Sequence, residues 1–292
     1  LIAENIVKDY PGCRALDHVS LQMESGKVYA LIGKNGSGKS TLVKLFAGVI
    51  EPTEGQLYMN EEKLNLKTPG DAHEKGIVTV YQEMSLVPGL SVAENIFLNR
   101  MPMKGKMIDW KTAYSKADEL LKTMGVSIDS RRMVQDLSMW QKQIVEITRA
   151  MSFQPKVLML DEPTSALAQH EVQNLLEFVK SLKKKDIVVI YITHKLQELH
   201  SVADEVIVLR DGEFIGQKPM EQVDSKELVH MMFGEVSLRH RPDDVIPGKD
   251  VIMSVRGLTQ KKTFEDVSFD LYRGEVLGIA GMLGAGRTEL LR

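Results

Sequence analysis

Val28-Tyr29-Ala30-Leu31-Ile32-Gly33-Lys34-Asn35-Gly36-Ser37-Gly38-Lys39-Ser40-Thr41 is the stretch that decides the fold. Its first five residues are apolar and read as a buried strand, which runs directly into a loop with glycine at 33, 36 and 38. From Ser40 to Ala47 apolar residues recur at helical spacing, so the loop opens a helix. A strand, then Gly-x-x-x-x-Gly-Lys-Ser, then a helix is the pattern of a phosphate cradle, the P-loop. Glycine lets backbone N–H groups turn inward around phosphate oxygens, and the helix N-terminus adds its dipole. Lys39 is expected to reach the β- and γ-phosphates of a nucleotide, and the Ser40 hydroxyl to bind Mg²⁺. Gly33, Asn35, Gly36, Ser37, Gly38 and Thr41 complete the expected nucleotide-binding set.

A second strand supplies the acid chemistry. Val157-Leu158-Met159-Leu160 is an apolar run ending in Asp161-Glu162-Pro163. In an open α/β sheet, ligands gather at the C-terminal ends of the strands. Asp161 is therefore expected at the metal and Glu162 beside the water that attacks the terminal phosphate.

Further strands are read at Leu1 to Lys8 and Val19 to Met23, flanking a Pro11-Gly12 turn, and at Ile187 to Ile192 and Val206 to Leu209. Gly55 to Leu66 reads as a hairpin. Val172, Leu175, Leu176, Val179 and Leu182 form one helical stripe, and residues from about Ser91 to Met151 are mainly helical in pattern. Strands alternating with helices predict a parallel sheet covered on both faces, with the 91–151 stretch as a helical insertion.

The bulk composition narrows the function classes. The 292 residues are 43% hydrophobic and 26% charged, which is ordinary for a globular chain and excludes wholesale disorder. A net charge of -3 gives no electrostatic footprint for nucleic acid, and none is expected as a partner. Cys13 is the single cysteine, so neither an intrachain disulfide nor a cysteine metal cluster can form. Sparse cysteine suits a reducing, cytosolic setting. No run is apolar enough to span a bilayer, and the N-terminus has no signal-peptide pattern. It also lacks an initiator methionine, as a fragment of a longer protein would. The histidines show no metal-ligand spacing, so no metal beyond Mg²⁺ is expected.

Near its end the chain repeats its beginning. Val19-Ser20, Gly26, Gly33, Gly36 and Gly38 recur as Val267-Ser268, Gly274, Gly281, Gly284 and Gly286, each separated by 248 positions. A repeat of that length signals domain duplication. Between the copies lies a polar stretch with Pro242, Pro247 and Gly248. The expected organisation is a first domain at 1–236, a linker at 237–252, and the opening segment of a second, degenerate copy at 253–292.

These residues carry a family resemblance that covers essentially the whole chain. It resembles the ATP-binding cassette (ABC) ATPases, and among them the two-domain ATPases of monosaccharide importers of the ribose, galactose and arabinose type. The resemblance implies an α/β P-loop NTPase fold: a parallel-sheet core, an antiparallel β subdomain and an inserted helical subdomain. Tyr81-Gln82-Glu83 followed by Leu86 to Ile96 is similar to the family's Q-loop region. By resemblance Gln82 contacts Mg²⁺ and the attacking water and couples the site to a membrane subunit. Ile192-Thr193-His194 resembles the switch loop, with His194 sensing the γ-phosphate. Tyr10 matches the aromatic position that stacks on adenine. The implied cofactors are ATP and Mg²⁺, with Ser40, Gln82 and Asp161 around the metal.

Three departures from the family pattern stand out. The signature loop, Leu-Ser-Gly-Gly-Gln in the family, is Leu137-Ser138-Met139-Trp140-Gln141, so bulk replaces glycine where a phosphate would approach. Arg287 stands where the first copy has Lys39, and a planar guanidinium does not replace a compact ammonium. Ala168 replaces an aspartate common after Ser165-Ala166-Leu167. Because the family's domains pair head to tail, the resemblance implies that Met139-Trp140 and Arg287 share one defective composite site, leaving the Lys39 and Glu162 site to hydrolyse ATP. The expected function is ATP-driven uptake of a small sugar. The chain would act at the cytoplasmic face of the membrane with integral permease subunits, and indirectly with a periplasmic or extracellular solute-binding protein. The alternatives are a soluble ATPase of this type acting on ribosomes or DNA, and an importer of nucleosides or a sugar-like signal.

Overall fold

The computed structural model describes residues 1–234, 248–261, 263–281 and 285–291. The chain divides into two compact units, Leu1–Glu235 and Val236–Arg292.

The first unit opens with the hairpin β1 (Ile2–Tyr10) and β2 (Cys13–Gln22), then β3 (Val28–Ile32) and α1 (Lys39–Phe46). Next come β4 (Glu54–Met59), β5 (Glu62–Leu64), α2 (Pro69–Glu74) and β6 (Ile77–Val80). The helical insertion holds α3 (Val92–Ile96), a two-residue ribbon of β7 (Met103–Lys104) and β8 (Met107–Ile108), α4 (Trp110–Thr123) and α5 (Met139–Met151). The remaining elements are β9 (Val157–Asp161), α6 (Gln169–Leu182), β10 (Val188–Ile192), α7 (Leu196–Val202), β11 (Glu205–Arg210), β12 (Glu213–Pro219) and α8 (Ser225–Phe233).

Two sheets result. The larger runs β12-β11-β3-β10-β9-β6, with β11, β3, β10, β9 and β6 parallel and β12 antiparallel at the edge. The smaller is antiparallel, in the order β2-β1-β4-β5. Every residue of β3 and β10 is buried, which is why these strands read as continuous apolar runs. Their side chains still alternate between faces. Val189 and Tyr191 of β10 join the core beneath α3, α4, α5 and α6. Val188, Ile190 and Ile192 join the opposite core, shared with α1 and the antiparallel sheet. A third core packs β3 and β11 against α7 and α8. The P-loop and Asp161 thus emerge at the same end of a sheet held on both faces, from β3 and β9 on either side of β10.

The insertion's helices are started by side chains. Ser91 and Glu94 form a reciprocal capping box on α3, and Ser138 and Gln141 form one on α5. Asp109 caps α4, accepting from the Thr112 N–H at 3.1 Å.

In the second unit, β13 (Val251–Gln260) and β14 (Phe264–Tyr272) form an antiparallel hairpin followed by α9 (Arg287–Leu290). It repeats a detail of the first hairpin. The Asn5 N–H, at φ 48, donates to Ser20 Oγ at 2.8 Å, and the Gly257 N–H, at φ 61, donates to Ser268 Oγ at 2.9 Å. The tips differ. Seven residues, 9–15, extend beyond the Lys8–Leu16 pair, but only three, 261–263, beyond the equivalent Gln260–Phe264 pair. Among the described residues the tip that carries Tyr10 therefore has no counterpart in the second unit. The expected linker at 237–252 is corrected at its end, because β13 already begins at Val251; residues 237–247 of that linker, and Gly284 of the repeat, lie outside the described residues. Val276, the counterpart of Val28, is 92% exposed. In the first unit β3 gains its backbone partners from β10 and β11.

Candidate functional site

The loop between β3 and α1 is packed so closely that glycine is required. A Cβ on Gly38, which sits at φ 99, would lie 2.7 Å from both the Ala15 carbonyl oxygen and Leu16 Cδ2. A Cβ on Gly33 would lie 2.2 Å from the Leu209 carbonyl oxygen. Gly38 is also the residue before α1, and that helix has no side-chain cap and no acidic residue in its first turn. Its N-terminal N–H groups and dipole are left for an anion. Lys39 Nζ folds over the loop, donating to the Gly33 and Lys34 carbonyls at 2.8 Å each. Burial pushes this ammonium's pKa down, opposed by the nearby Glu162 and Asp161.

A cleft of about 720 Å³ opens on this loop, lined by Asn35, Gly36, Gly38, Lys39, Ser40 and Thr41 together with Gln82, Asp161 and Glu162. Ser37 is buried within the loop, donating its N–H to the Lys34 carbonyl at 3.1 Å. Asp161 ends β9, and Glu162 follows with left-handed backbone at φ 46. That turn is fixed by the Glu162 N–H donating to the Ile192 carbonyl at 2.9 Å. The Glu162 side chain then meets two others: His194 Nδ1 lies 3.0 Å from its Oε1, and Gln82 Nε2 donates to its Oε2 at 3.2 Å. Three elements of the chain thus deliver their polar groups to one point beside the P-loop.

Burial raises the Asp161 pKa, the neighbouring Glu162 raises it further, and Lys39 opposes both. Two adjacent carboxylates with one half-buried ammonium leave room for another cation. The Ser40 hydroxyl, the Asp161 carboxylate and the free amide oxygen of Gln82 form an all-oxygen donor set of the kind Mg²⁺ prefers. These residues fit the metal.

Other expected residues fall elsewhere. Tyr10 ends β1 with its ring 40% exposed, 5.5 Å beneath Lys8 Nζ, and is not among the residues lining the cleft. Its hairpin neighbours Cys13, Arg14 and Ala15 do line it, as does Asp211; nothing in their spacing marks them. In the signature loop, the expectation that both large side chains obstruct the helix start is corrected for Trp140. Its indole is half-buried and packs on the helical core, and only Met139, 48% exposed, presents bulk outward. Ala168 offers no side-chain cap to α6, but Glu171 accepts its N–H at 2.9 Å.

Comparison with known proteins agrees with this geometry. Residues 16–165 match the ABC transporter family. The chain is 43% identical over 291 residues to a Geobacillus kaustophilus protein named as a ribose/galactose/methyl galactoside import ATP-binding protein, covering 98% of this chain and 58% of that one. It is 39% identical over 290 residues to a galactose/methyl galactoside import ATP-binding protein of Fusobacterium nucleatum, covering 99% of this chain and 58% of that one. The chain therefore spans less than two thirds of the length of these relatives. Among solved structures, a nucleotide-free ATP-binding cassette from an ABC transporter superposes with a TM-score of 0.70 at 29% identity, over 80% of this chain and 98% of that one. A dimeric cassette bound to ADP and phosphate superposes with a TM-score of 0.65 at 26% identity, over 75% of this chain and 98% of that one. With residues 16–165 matching the family and relatives of about 40% identity along nearly its whole length, the chain belongs to the ABC transporter family.

Proposed function

We propose that this chain is the ATP-binding and ATP-hydrolysing part of an ABC importer and couples hydrolysis to uptake of a small sugar. The observation that carries the proposal is the convergence of Gln82, Glu162 and His194 beside the P-loop. The sugar follows from the names of the relatives. Among the described residues no helix is long and apolar enough to cross a membrane, so in this reading coupling runs through integral permease subunits at the cytoplasmic face. A solute-binding protein on the other side would deliver the sugar.

In this reading the first-turn N–H groups of α1 and the ammonium of Lys39 hold the β- and γ-phosphates. Ser40, Asp161 and Gln82 would hold Mg²⁺, which when bound would neutralise phosphate charge. Glu162 accepts the proton of the attacking water, and His194 and Gln82 fix the direction of its carboxylate. Tyr10 is assigned to adenine only by its match to the family's aromatic position, since it does not line the cleft.

The second unit is read as the start of a degenerate cassette. It has Arg287 in place of Lys39 and no counterpart of the Tyr10 tip. In this reading the site with Lys39 and Glu162 turns over ATP, and the loop with Arg287 binds nucleotide weakly. The deciding experiment measures Mg-ATP binding and turnover by the full-length protein beside its Glu162→Gln variant. Turnover that survives Glu162→Gln overturns the reading.

A further inference from the structure

Two loops bring Glu162, which lines the cleft, and His194, which does not, to within 3.0 Å of each other. One runs on through Pro163 and Thr164, and the other from Ile192 through His194 to Lys195. The His194 side chain is 65% exposed, so its contact with Glu162 does not anchor either loop. Behind them lies Glu198, in the first turn of α7 and 7% exposed.

Its carboxylate gathers groups from three places. Thr164 Oγ1 lies 2.8 and 2.9 Å from Oε1 and Oε2. The Tyr191 hydroxyl donates to Oε2 at 2.8 Å. Lys195 Nζ stands 3.5 Å from Oε1 and donates to the Thr164 carbonyl at 3.0 Å. Thr164 and Tyr191 are 1% and 0% exposed. Burial, and then the Glu198 charge, push the Tyr191 pKa up, so its hydroxyl remains a donor. Stability alone is a weak reason to keep such a cluster, because well-packed apolar groups commonly replace a buried charged one at no loss. What apolar groups do not supply is direction. Glu162 sits at a left-handed turn two residues before Thr164, and His194 sits directly before Lys195.

We propose that Glu198 is a positioning residue for hydrolysis, clamping Thr164 and Lys195 so that Glu162 and His194 face one point over the phosphates. The proposal rests on the assignment of Glu162 and His194 to ATP hydrolysis. Glu198→Gln keeps the side chain's shape but removes its charge. In the full chain it is expected to lower kcat by about 10- to 100-fold, with KM for Mg-ATP and the melting temperature near wild type. Thr164→Val should have a similar effect, and Thr164→Ser, which retains the hydroxyl, should recover most of the rate. Combined, Glu198→Gln and Thr164→Val should cost little more than either alone. Hydrogen exchange at the Glu162 amide, bonded to the Ile192 carbonyl, should accelerate in Glu198→Gln without global loosening. Unchanged kcat, or a loss that merely follows the melting temperature, overturns the proposal. A wild-type chain without turnover would count against the ATPase reading instead. In that case the exchange measurement still decides the clamp, because unaltered protection at Glu162 refutes it.

Discussion

Glu162 Oε1 stands 3.0 Å from His194 Nδ1, and the Glu162 N–H is bonded to the carbonyl of Ile192, two residues before that histidine. Backbone and side chain of one residue are thus both tied to the same neighbouring loop. In Glu162→Gln the backbone bond and the shape remain while the proposed proton acceptor goes. Turnover should fall by about 10²–10⁴-fold. Mg-ATP binding should persist, read as stabilisation of about 2.7 kcal/mol at a hundredfold excess over Kd. If ATP no longer stabilises the variant, Glu162 holds nucleotide rather than water.

Gly38 tests the phosphate cradle. An added methyl meets the Ala15 carbonyl and Leu16 Cδ2 at 2.7 Å, at a backbone angle that alanine adopts only with strain. Gly38→Ala should destabilise the first unit by about 1–3 kcal/mol and remove the ATP-dependent rise in melting temperature. Gly12→Ala is the control. It has the same handedness, φ 82, but nothing within 4 Å, so it should carry the strain without the clash and leave ATP binding intact.

The two bulky residues of the signature loop should separate in their effects. Trp140 packs on the helical core, and Trp140→Ala should cost about 2–3 kcal/mol of stability, below the full-burial range because the side chain is only half-buried. Met139 faces outward at the first position of α5, so Met139→Gly should cost less than about 1 kcal/mol. If the loop meets a phosphate on a second cassette, Met139→Gly should raise the affinity of the weaker site in the full-length protein. Equal destabilisation by both substitutions would contradict the packing described here.

Local sequence revealed the parts of the site whose chemistry is local. The P-loop needs glycine at fixed spacing before a helix, and Asp161-Glu162 closes an apolar strand. Both were therefore readable, as were β3, β9, β10 and β11. Ile77-Val78-Thr79-Val80 escaped notice because four residues after a glycine have no period of their own; pairing with β9 makes them a strand. β12 has only Phe214 and Ile215 as large apolar residues, too few to show a period, and owes its conformation to β11 at the sheet edge. Glu198 could not be found from spacing, since Thr164 and Tyr191 lie 34 and 7 residues away and only the sheet brings them together. The fate of Trp140 was equally hidden, because which way an aromatic turns at a helix start depends on the cavity beside it. Lost residues at a hairpin tip leave no motif either, so the missing equivalent of Tyr10 emerged only from the paired registers of the two hairpins.

Asp161 offers a trade between stability and function. Its pKa is raised in the folded chain, first by burial and then by Glu162. Above the ordinary aspartate pKa the unfolded chain has released this proton while the folded chain still retains part of it. Folding stability from this group therefore declines as pH rises through the window between the two values. At neutral pH the charged carboxylate opposes folding. Asp161→Asn removes the charge and keeps the shape, so the nucleotide-free variant should melt higher than wild type at pH 7. The gap should narrow as pH is lowered toward 4, near the ordinary aspartate value. Under the proposed role of Asp161 at Mg²⁺, the same variant should also lose Mg²⁺-dependent stabilisation by ATP. A melting temperature that falls at every pH would mean that Asp161 supports the fold through bonds the charge repulsion does not outweigh.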